Sequence, residues 1–359
     1  MSPIENDSAS TAVLLLLRDR YGLQDLQLQR LPIGQGTINY RASGPHGAFF
    51  VKRYTAKTHL PAEEAGIALS EQARHAGIPA AAVIPNRDGQ WLDRSSPIAL
   101  SVWSWVEGDV RTEHLSRAQY GCAGSTLGAI HRIFAPLPES RAPALKSLDW
   151  RKFSLPSLQH TIDRILGMVR QRVADGVQDE FDAGVLATLP ERTAQLQRLP
   201  TLMAELPELG SQVLHGDYTF VNLLFQEDRI AAVLDFRPPE AFLRAYDLGR
   251  IAFHPSTVAL HPRWLDSAAV LVTEYCKANP GVPARDVEFC GRVALLQLLK
   301  SLYGVQQHYL EPALIQDDLD TFWHLRHVTV GRMLEHLAEI DAMLRSACAG
   351  IAVERLLSI

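Results

Sequence analysis

The chain has 359 residues, of which 47% are hydrophobic and 21% charged, values that are typical of a folded globular protein and exclude a disordered one. Lysine and arginine number 35 against 40 aspartates and glutamates, and no basic stripe with interleaved aromatic residues occurs, which argues against a nucleic-acid partner. The four cysteines lack metal-binding spacing and no segment reaches membrane-spanning length, so we expect a cytoplasmic protein without membrane contact. A chain this long is expected to form two lobes.

The first hundred residues read mainly as strands. An apolar run at residues 12–17 is too short for a signal peptide and follows acidic residues, so it predicts an N-terminal helix. Next come a strand, a glycine-bearing turn and a strand in "LQLQRLPIGQGTINYRA", then the strand "AFFVKRY". A helix follows in "PAEEAGIALSEQARHAG", and two more strands in "AAVIP" and "PIALSVWSW". These five strands and one helix predict a small sheet-based domain over residues 1–106.

Two features of this small domain are ambiguous when taken alone. The turn "IGQGTIN" contains Gly34 and Gly36, which suit an ordinary hairpin turn but also allow backbone amides to approach a phosphate closely. Lys52 follows on an otherwise apolar strand, where a lysine either faces solvent or offers its charge to an anion.

Helical patterns dominate residues 107–359, the predicted second domain, with one exception. The segments "NLLF", "QEDR" and "IAAVLDF" predict a β-hairpin, with Asn222 where the first strand begins and Asp235 where the second ends. Asp217 lies in the loop that leads into this hairpin. Two carboxylates and an amide oxygen would then converge, and such hard oxygen ligands suit Mg²⁺ completed by water and phosphate oxygens.

The order of these features is that of protein kinases: a glycine-rich hairpin, a strand lysine, a helical glutamate, an acid followed by asparagine, and Asp-Phe. The motifs resemble those of the aminoglycoside phosphotransferase family, small-molecule kinases related to choline and type II homoserine kinases. "HGDYTFVN" is similar to its catalytic loop and "VLDF" to its metal-binding segment. "RAYDLGR" resembles the Asp-Leu segment that follows, and "STLGAIHRI" resembles the helix that precedes the catalytic region. The resemblance covers residues 26–250.

This resemblance implies an α+β, protein-kinase-like bilobal fold with a small five-stranded N-lobe and a larger, mostly helical C-lobe. It implies that Asp217 orients the acceptor hydroxyl and takes its proton, while Asn222 and Asp235 hold Mg²⁺ on the nucleotide. Lys52 would contact the α- and β-phosphates. A helical glutamate would fix that lysine, with Glu64 as the first choice and the neighbouring Glu63 as the alternative.

The nucleotide is expected to be ATP or GTP. Gly34, Gly36 and Asn39 would form the phosphate-binding turn, and the hinge "VWSWVEG", which includes Trp105, would hold the purine through its backbone. The resemblance also implies that His215 and Asp247 brace the catalytic loop.

Three functions are compatible with these residues. The first is phosphorylation of a hydroxyl on an antibiotic-like natural product, the second a metabolic kinase for choline, homoserine or a sugar, and the third a nucleotide-binding pseudokinase. The C-terminal tract from Trp264 to Ala342 favours a ring-bearing acceptor with an amine. It mixes aromatic residues with carboxylates, namely Tyr275, Tyr303, Tyr309, Phe322 and Trp323 with Glu274, Asp317, Asp318 and Asp320.

Overall fold

The computed structural model describes residues 3–33, 36–113, 115–311 and 316–357, which form an α+β protein of two compact units. The first unit comprises Met1–Val110 and Asn222–Pro239, and the second comprises Arg111–Val221 and Glu240–Ile359. The expected mixture of a small sheet-containing part and a larger helical part is confirmed.

The elements of the first unit are α1 (Pro3–Tyr21), β1 (Gln27–Leu31), β2 (Thr37–Gly44), β3 (Gly47–Tyr54), α2 (Leu60–His75), β4 (Val83–Ile84) and β5 (Leu100–Ser104). The five strands, which the sequence predicted, form an antiparallel sheet in the order β1-β2-β3-β5-β4. Strand β4 is only two residues long because Pro85 follows it and lacks an amide for the ladder.

The two faces of this sheet pack against different partners. Val51 belongs to a buried cluster with Val13 and Leu17 of α1, whereas Tyr54 packs with Ile67 of α2. Successive side chains of a strand point to opposite faces, so Lys52, next to Val51, shares the α2 face with Tyr54. The alternation of β3 therefore presents Lys52 to α2.

The predicted hairpin is present as β8 (Leu223–Gln226) and β9 (Arg229–Val233), paired antiparallel. A short strand β6 (Asp109–Val110) pairs with β8, and the Val233 amide donates a hydrogen bond of 2.8 Å to the Pro79 carbonyl. These backbone bonds explain why the hairpin counts with the first unit. The units divide after Val110, whereas the sequence suggested a division at residue 106 with the hairpin in the second domain.

The second unit is mainly helical, with one short two-stranded sheet. Its strands are β7 (Ser211–Val213) and β10 (Ala241–Leu243). Its helices are α3 (Arg117–Phe134), α4 (Leu145–Arg151), α5 (Leu155–Ala174), α6 (Glu180–Leu196), α7 (Leu199–Ala204), α8 (Arg244–Ala252), α9 (Pro255–Leu260), α10 (Trp264–Ala278), α11 (Ala284–Glu288), α12 (Cys290–Lys300), α13 (Val305–Tyr309), α14 (Gln316–Glu335) and α15 (Leu337–Leu357). Two 3₁₀ segments complete the chain, at Pro138–Arg141 in this unit and at Phe220–Asn222, where the units divide.

Close packing of α3 on α10 organises this unit. A Cβ atom on Gly124 would lie 2.0 Å from the Leu271 carbonyl oxygen, and one on Gly128 would lie 2.5 Å from that of Tyr275. Only glycine permits such backbone proximity. Within the described ranges, no helix combines the length and the apolar character needed to cross a membrane.

Candidate active site

Lys52 is the centre of a charged group in the first unit. Its Nζ donates a hydrogen bond of 2.8 Å to Asp235 Oδ1 and lies 3.3 Å from Glu63 Oε2. Burial alone would lower the pKa of Lys52, but the charges of Asp235 and Glu63 outweigh it and raise that pKa above its ordinary value. Lys52 is therefore a fixed ammonium between two carboxylates.

The glutamate that pairs with Lys52 is Glu63, and the first choice of Glu64 is corrected. Glu64 accepts a hydrogen bond of 2.6 Å from Arg94 instead, and both partners of that pair are about half exposed. The difference follows from helix geometry. Glu63 precedes Gly66 and Ile67 by three and four residues and so lies on the buried face of α2, whereas Glu64 is four residues before the exposed Ala68.

Gly66 lets α2 approach the segment that carries Asp235. A Cβ atom at this position would lie 2.5 Å from the Phe236 carbonyl oxygen, closer than any real side-chain contact. The helix that supplies Glu63 thus packs directly on the backbone beside Asp235. Asp235 itself has φ of +62°, a left-handed conformation that Asp and Asn adopt more readily than most residues.

Asn222 and Asp235 flank the hairpin as expected. The Leu234 amide donates a hydrogen bond of 2.9 Å to the Asn222 carbonyl, which fixes both ends of the hairpin together. The pair supplies one carboxylate and one amide oxygen, a donor set that fits Mg²⁺, an ion that usually keeps several waters and binds substrate phosphates.

The glycine-rich turn between β1 and β2 is described in part, since Gly34 lies outside the described residues. Gly36 has open space around it, with no heavy atom within 4 Å of an added Cβ. Asn39 is buried and closes the base of the turn. Its Nδ2 donates a hydrogen bond of 2.8 Å to the Ile33 carbonyl, and its Oδ1 accepts one of 3.1 Å from Thr37 Oγ1. The side chain of Asn39 thus shapes the turn.

The hinge residue Trp105 directly follows β5. Its amide donates 3.2 Å to the Ala48 carbonyl, and the guanidinium of Arg41 lies 4.6 Å from the centre of its ring. The Trp105 backbone amide is therefore already used within the first unit.

In the second unit, a network of buried polar groups shapes the loop that carries Asp217. The Asp217 amide donates 3.2 Å to Nδ1 of the buried His215, and the Gly216 amide donates 3.1 Å to Asp247 Oδ2. His131 Nε2 lies 3.7 Å from the same Asp247 oxygen. Burial would raise the pKa of Asp247, but His131, His215 and the Gly216 amide hold it below its ordinary value. These contacts hold the loop that carries Asp217 in a fixed conformation.

Arg250 of α8 is a site residue that the sequence analysis missed. Its Nη2 lies 2.6 Å from Asp217 Oδ1, and its Nη1 donates 3.0 Å to the Tyr246 hydroxyl. The Asp217 side chain is 15% exposed and that of Arg250 is 37% exposed, so this pair is partly open to solvent. Arg250 ends the quoted motif "RAYDLGR", and its spacing of four from Tyr246 was the available signal.

The residues expected to form an aromatic and acidic acceptor pocket do not form one group. Tyr275 is buried against His131 at 2.9 Å, and Tyr309 donates 2.7 Å to Asp182. Glu274 pairs with Lys277 at 2.9 Å and Asp320 with His308 at 2.8 Å, while the side chains of residues 317 and 318 lie outside the described ones. Trp323 is buried. Tyr303 and Phe322 instead flank Arg326, on the side of the unit that holds Arg250.

Comparisons with known proteins agree with these motifs. Residues 28–276 match the sequence profile described as the phosphotransferase enzyme family. Spectinomycin phosphotransferase in complex with ADP and spectinomycin is similar in structure, with a TM-score of 0.60 and 15% identity over 89% of this chain and 97% of that one. A microcompartment-associated aminopropanol kinase gives a TM-score of 0.61 and 17% identity over 93% and 99%.

An aminoglycoside phosphotransferase from Alicyclobacillus acidocaldarius gives a TM-score of 0.54 and 13% identity over 92% of this chain and 94% of that one. At such identities the structural likeness establishes the fold, which is that of the kinase-like small-molecule phosphotransferases. A search of curated protein sequences finds no significant match.

Proposed function

Because the chain belongs to the phosphotransferase enzyme family, we propose that it is a Mg²⁺-dependent kinase that transfers the γ-phosphate of ATP or GTP to a hydroxyl of a small natural product. The observation that carries this proposal is the position of Lys52 between Glu63 and Asp235, at 3.3 and 2.8 Å. A partly buried ammonium between two carboxylates, one of them at the end of a hairpin that begins at an asparagine, is suited to a metal-bound polyphosphate.

In this proposal the first unit binds the nucleotide. Lys52 would contact the α- and β-phosphates, and Asp235 and Asn222 would together hold the metal. When bound, Mg²⁺ neutralises charge on the β- and γ-phosphates. Amides of the turn at Gly36 bind phosphate oxygens, and the Trp105 carbonyl accepts a hydrogen bond from the purine.

In the second unit, Asp217 orients the acceptor hydroxyl and accepts its proton. Phosphoryl transfer passes through a loose transition state, so the proton leaves late, when the oxygen already bonds to phosphorus. A weak carboxylate base suffices at that stage. The contacts of Asp217 with His215 and of its neighbour Gly216 with Asp247 support this role, because they fix the loop before the acceptor binds.

Two acceptor classes have support. An antibiotic-like natural product is favoured by the names of similar structures, which include spectinomycin and aminoglycoside phosphotransferases. Aromatic side chains beside Arg250 and Arg326, those of Tyr246, Tyr303 and Phe322, would stack on a ring. A smaller metabolic acceptor such as homoserine, choline or a sugar is favoured by the similarity to an aminopropanol kinase.

The test is acceptor-dependent release of ADP or GDP. A panel of spectinomycin, aminoglycosides, nucleoside antibiotics, choline, homoserine and sugars is incubated with nucleotide and Mg²⁺, and products are examined by mass spectrometry for the mass of one added phosphate. Asp217→Asn serves as the matched inactive control. Nucleotide binding without acceptor-dependent release over the whole panel would favour a pseudokinase instead.

A further inference from the structure

Two helices of the second unit each carry an aromatic residue and an arginine four positions later. On α8, the Arg250 guanidinium lies 5.7 Å from the centre of the Tyr246 ring. On α14, that of Arg326 lies 5.3 Å from the Phe322 ring. Residues four apart share a helix face, so each ring supports the guanidinium that follows it. The second pair lies in the C-terminal helices, outside the segment that matches the family profile.

Among the described residues, the buried cation Arg326 has no counter-charge. It is 7% exposed, and its Nε is enclosed without a hydrogen-bond acceptor. Within the described part of the chain, Arg326 takes part in no hydrogen bond and no ion pair, and its other ring contact is Tyr303 at 5.8 Å. A buried charge without a partner is strongly unfavourable, so a structural purpose alone does not account for this one.

The surroundings of Arg326 add further positive charge. Burial and then repulsion from Arg250 lower the pKa of Arg326 to about 10, with only the phenols of Tyr246 and Tyr303 acting in the other direction. Arg192, fully buried, has its pKa lowered to about 9 by burial and by the charge of Arg326, although Glu191 opposes this. All three guanidinium groups remain charged at neutral pH. We call Arg192, Arg250 and Arg326 the arginine cluster.

The arginine cluster is contiguous with the loop that carries Asp217. Arg250 Nη2 lies 2.6 Å from Asp217 Oδ1. Phe220, three residues after Asp217, has its ring centre 5.5 Å from that of His254, and the His254 ring lies 6.3 Å from Phe322, the ring next to Arg326. His254 is buried beside Phe322, and its Nδ1 has no hydrogen-bond partner among the described residues. Burial, with the charges of Arg250 and Arg326, lowers the pKa of His254 to about 3, so its ring is neutral.

We propose that the acceptor carries an anionic group, a carboxylate or a phosphate ester, that binds Arg326 while the hydroxyl to be phosphorylated lies at Asp217. This inference rests on the proposed function, since Asp217 is taken as the residue that receives the hydroxyl. Arg250, which pairs with Asp217 and repels Arg326, would contact the anionic group as well. The unpartnered His254 Nδ1 adds a neutral hydrogen-bonding group. The acceptor is therefore a hydroxy acid or a phosphorylated alcohol, in place of the amine suggested by the sequence.

The experiment compares acceptors that differ only in charge. One set is glucose, gluconate, glucose 6-phosphate and glucosamine, and the other is glycerol, glycerate, glycerol 3-phosphate and 3-amino-1,2-propanediol. For each compound, nucleotide turnover and the shift in melting temperature without nucleotide are measured. The proteins are wild type, Arg326→Met, Arg326→Lys and Arg263→Gln, the last removing an arginine that is 75% exposed and paired with Asp266.

We expect an anionic member to have a KM or an apparent Kd below that of its neutral counterpart. Arg326→Met should weaken binding of the anionic acceptor by about 10- to 100-fold, which is the contribution of a hydrogen bond to a charged group. Arg326→Lys should retain part of the preference and Arg263→Gln all of it. Without any acceptor, Arg326→Met should melt several degrees higher than wild type, because it removes an unpaired buried charge. A purely structural arginine would give a lower melting temperature.

The outcomes separate this inference from the proposed function. Turnover of neutral or cationic members only, or an anion preference that survives in Arg326→Met, overturns the anion site and leaves the kinase intact. Stabilisation by anions that disappears in Arg326→Met, without turnover of any acceptor, supports the site and contradicts the kinase. If no anion stabilises or is turned over better than its neutral counterpart, the inference is wrong. Preference for the carboxylate or the phosphate member identifies which anion the site takes.

Discussion

The contrast between two adjacent glutamates of α2 gives a sharp test of the nucleotide site. Glu63 lies 3.3 Å from the Lys52 ammonium, whereas Glu64 pairs with Arg94 at 2.6 Å. Both are changed to glutamine, which keeps the shape of the side chain and removes one negative charge. We expect Glu63→Gln to impair phosphoryl transfer and Glu64→Gln to leave it nearly unchanged.

The size of the effect follows from burial. At 3.3 Å and an effective dielectric constant of about 20, the gross attraction between Glu63 and Lys52 is about 5 kcal/mol. Desolvation of the two partly buried groups, 28% and 18% exposed, offsets most of this and leaves about 1–2 kcal/mol. That corresponds to about 5- to 30-fold in kcat/KM for the nucleotide. The Glu64 pair is 47% and 45% exposed, for which up to about 1 kcal/mol of stability is usual.

The assay is initial-rate kinetics with varied nucleotide at saturating acceptor, with thermal unfolding measured on the same preparations. Unfolding serves as the control, since a variant that is slow only because it is partly unfolded would show a lower melting temperature. Equal losses of kcat/KM in both variants, or an unchanged value in Glu63→Gln, would refute the assignment of Glu63 as the partner that positions Lys52.

Three further predictions concern the catalytic loop, the hairpin and the packing of α2. Asp217→Asn should lower turnover by about 10²–10⁴-fold with nucleotide affinity little changed, as measured by coupled assay and calorimetry, and a loss under tenfold would contradict a role as base. Asp235→Asn removes the negative charge next to Lys52 that is proposed to hold Mg²⁺. It should therefore weaken nucleotide binding by tenfold or more with Mg²⁺ and much less without it. Equal effects in calorimetric titrations with and without Mg²⁺ would exclude the metal site. Gly66→Ala should destabilise the protein by about 1–3 kcal/mol because the new methyl meets the Phe236 carbonyl, whereas Gly167→Ala, with open space on α5, should be neutral or stabilising by up to about 1 kcal/mol in denaturant unfolding.

The sequence was sufficient to predict the five strands of the first unit's sheet, the hairpin and the order of charged residues, because these depend on local periodicity and turn residues. It did not indicate the short strands β6, β7 and β10. Lys52 on an alternating strand and Asp235 at a hairpin end needed no long-range information. The choice between Glu63 and Glu64 depended on the rotation of α2 about its axis. In the structure, Gly66 and Ile67 lie on the buried face of α2 and so indicate Glu63. In the sequence, the two glutamates lie in the first turn of a helix that begins near a proline, and one turn shows no clear hydrophobic periodicity.

The arginine cluster was beyond prediction for a different reason. Arg250 and Arg326 are 76 residues apart in the chain, and they come together because α14 packs on α9, the helix that follows α8. The net charge of −5 indicates an acidic protein but says nothing about the charge around Asp217. Local charge depends on which residues are buried together, and buried cations contribute little to a sequence average that surface residues dominate.

Because the backbone of Asp235 is left-handed, most substitutions at this position would change the conformation of the chain as well as remove the carboxylate. In a library with every residue at this codon, β-branched and bulky replacements would disfavour φ of +62° as well as lose the carboxylate, so their inactivity would mix misfolding with lost chemistry. Asparagine and glycine are the replacements that tolerate this conformation. Selection of such a library for folded protein should therefore enrich Asp, Asn and Gly, and a further selection for activity should leave Asp alone.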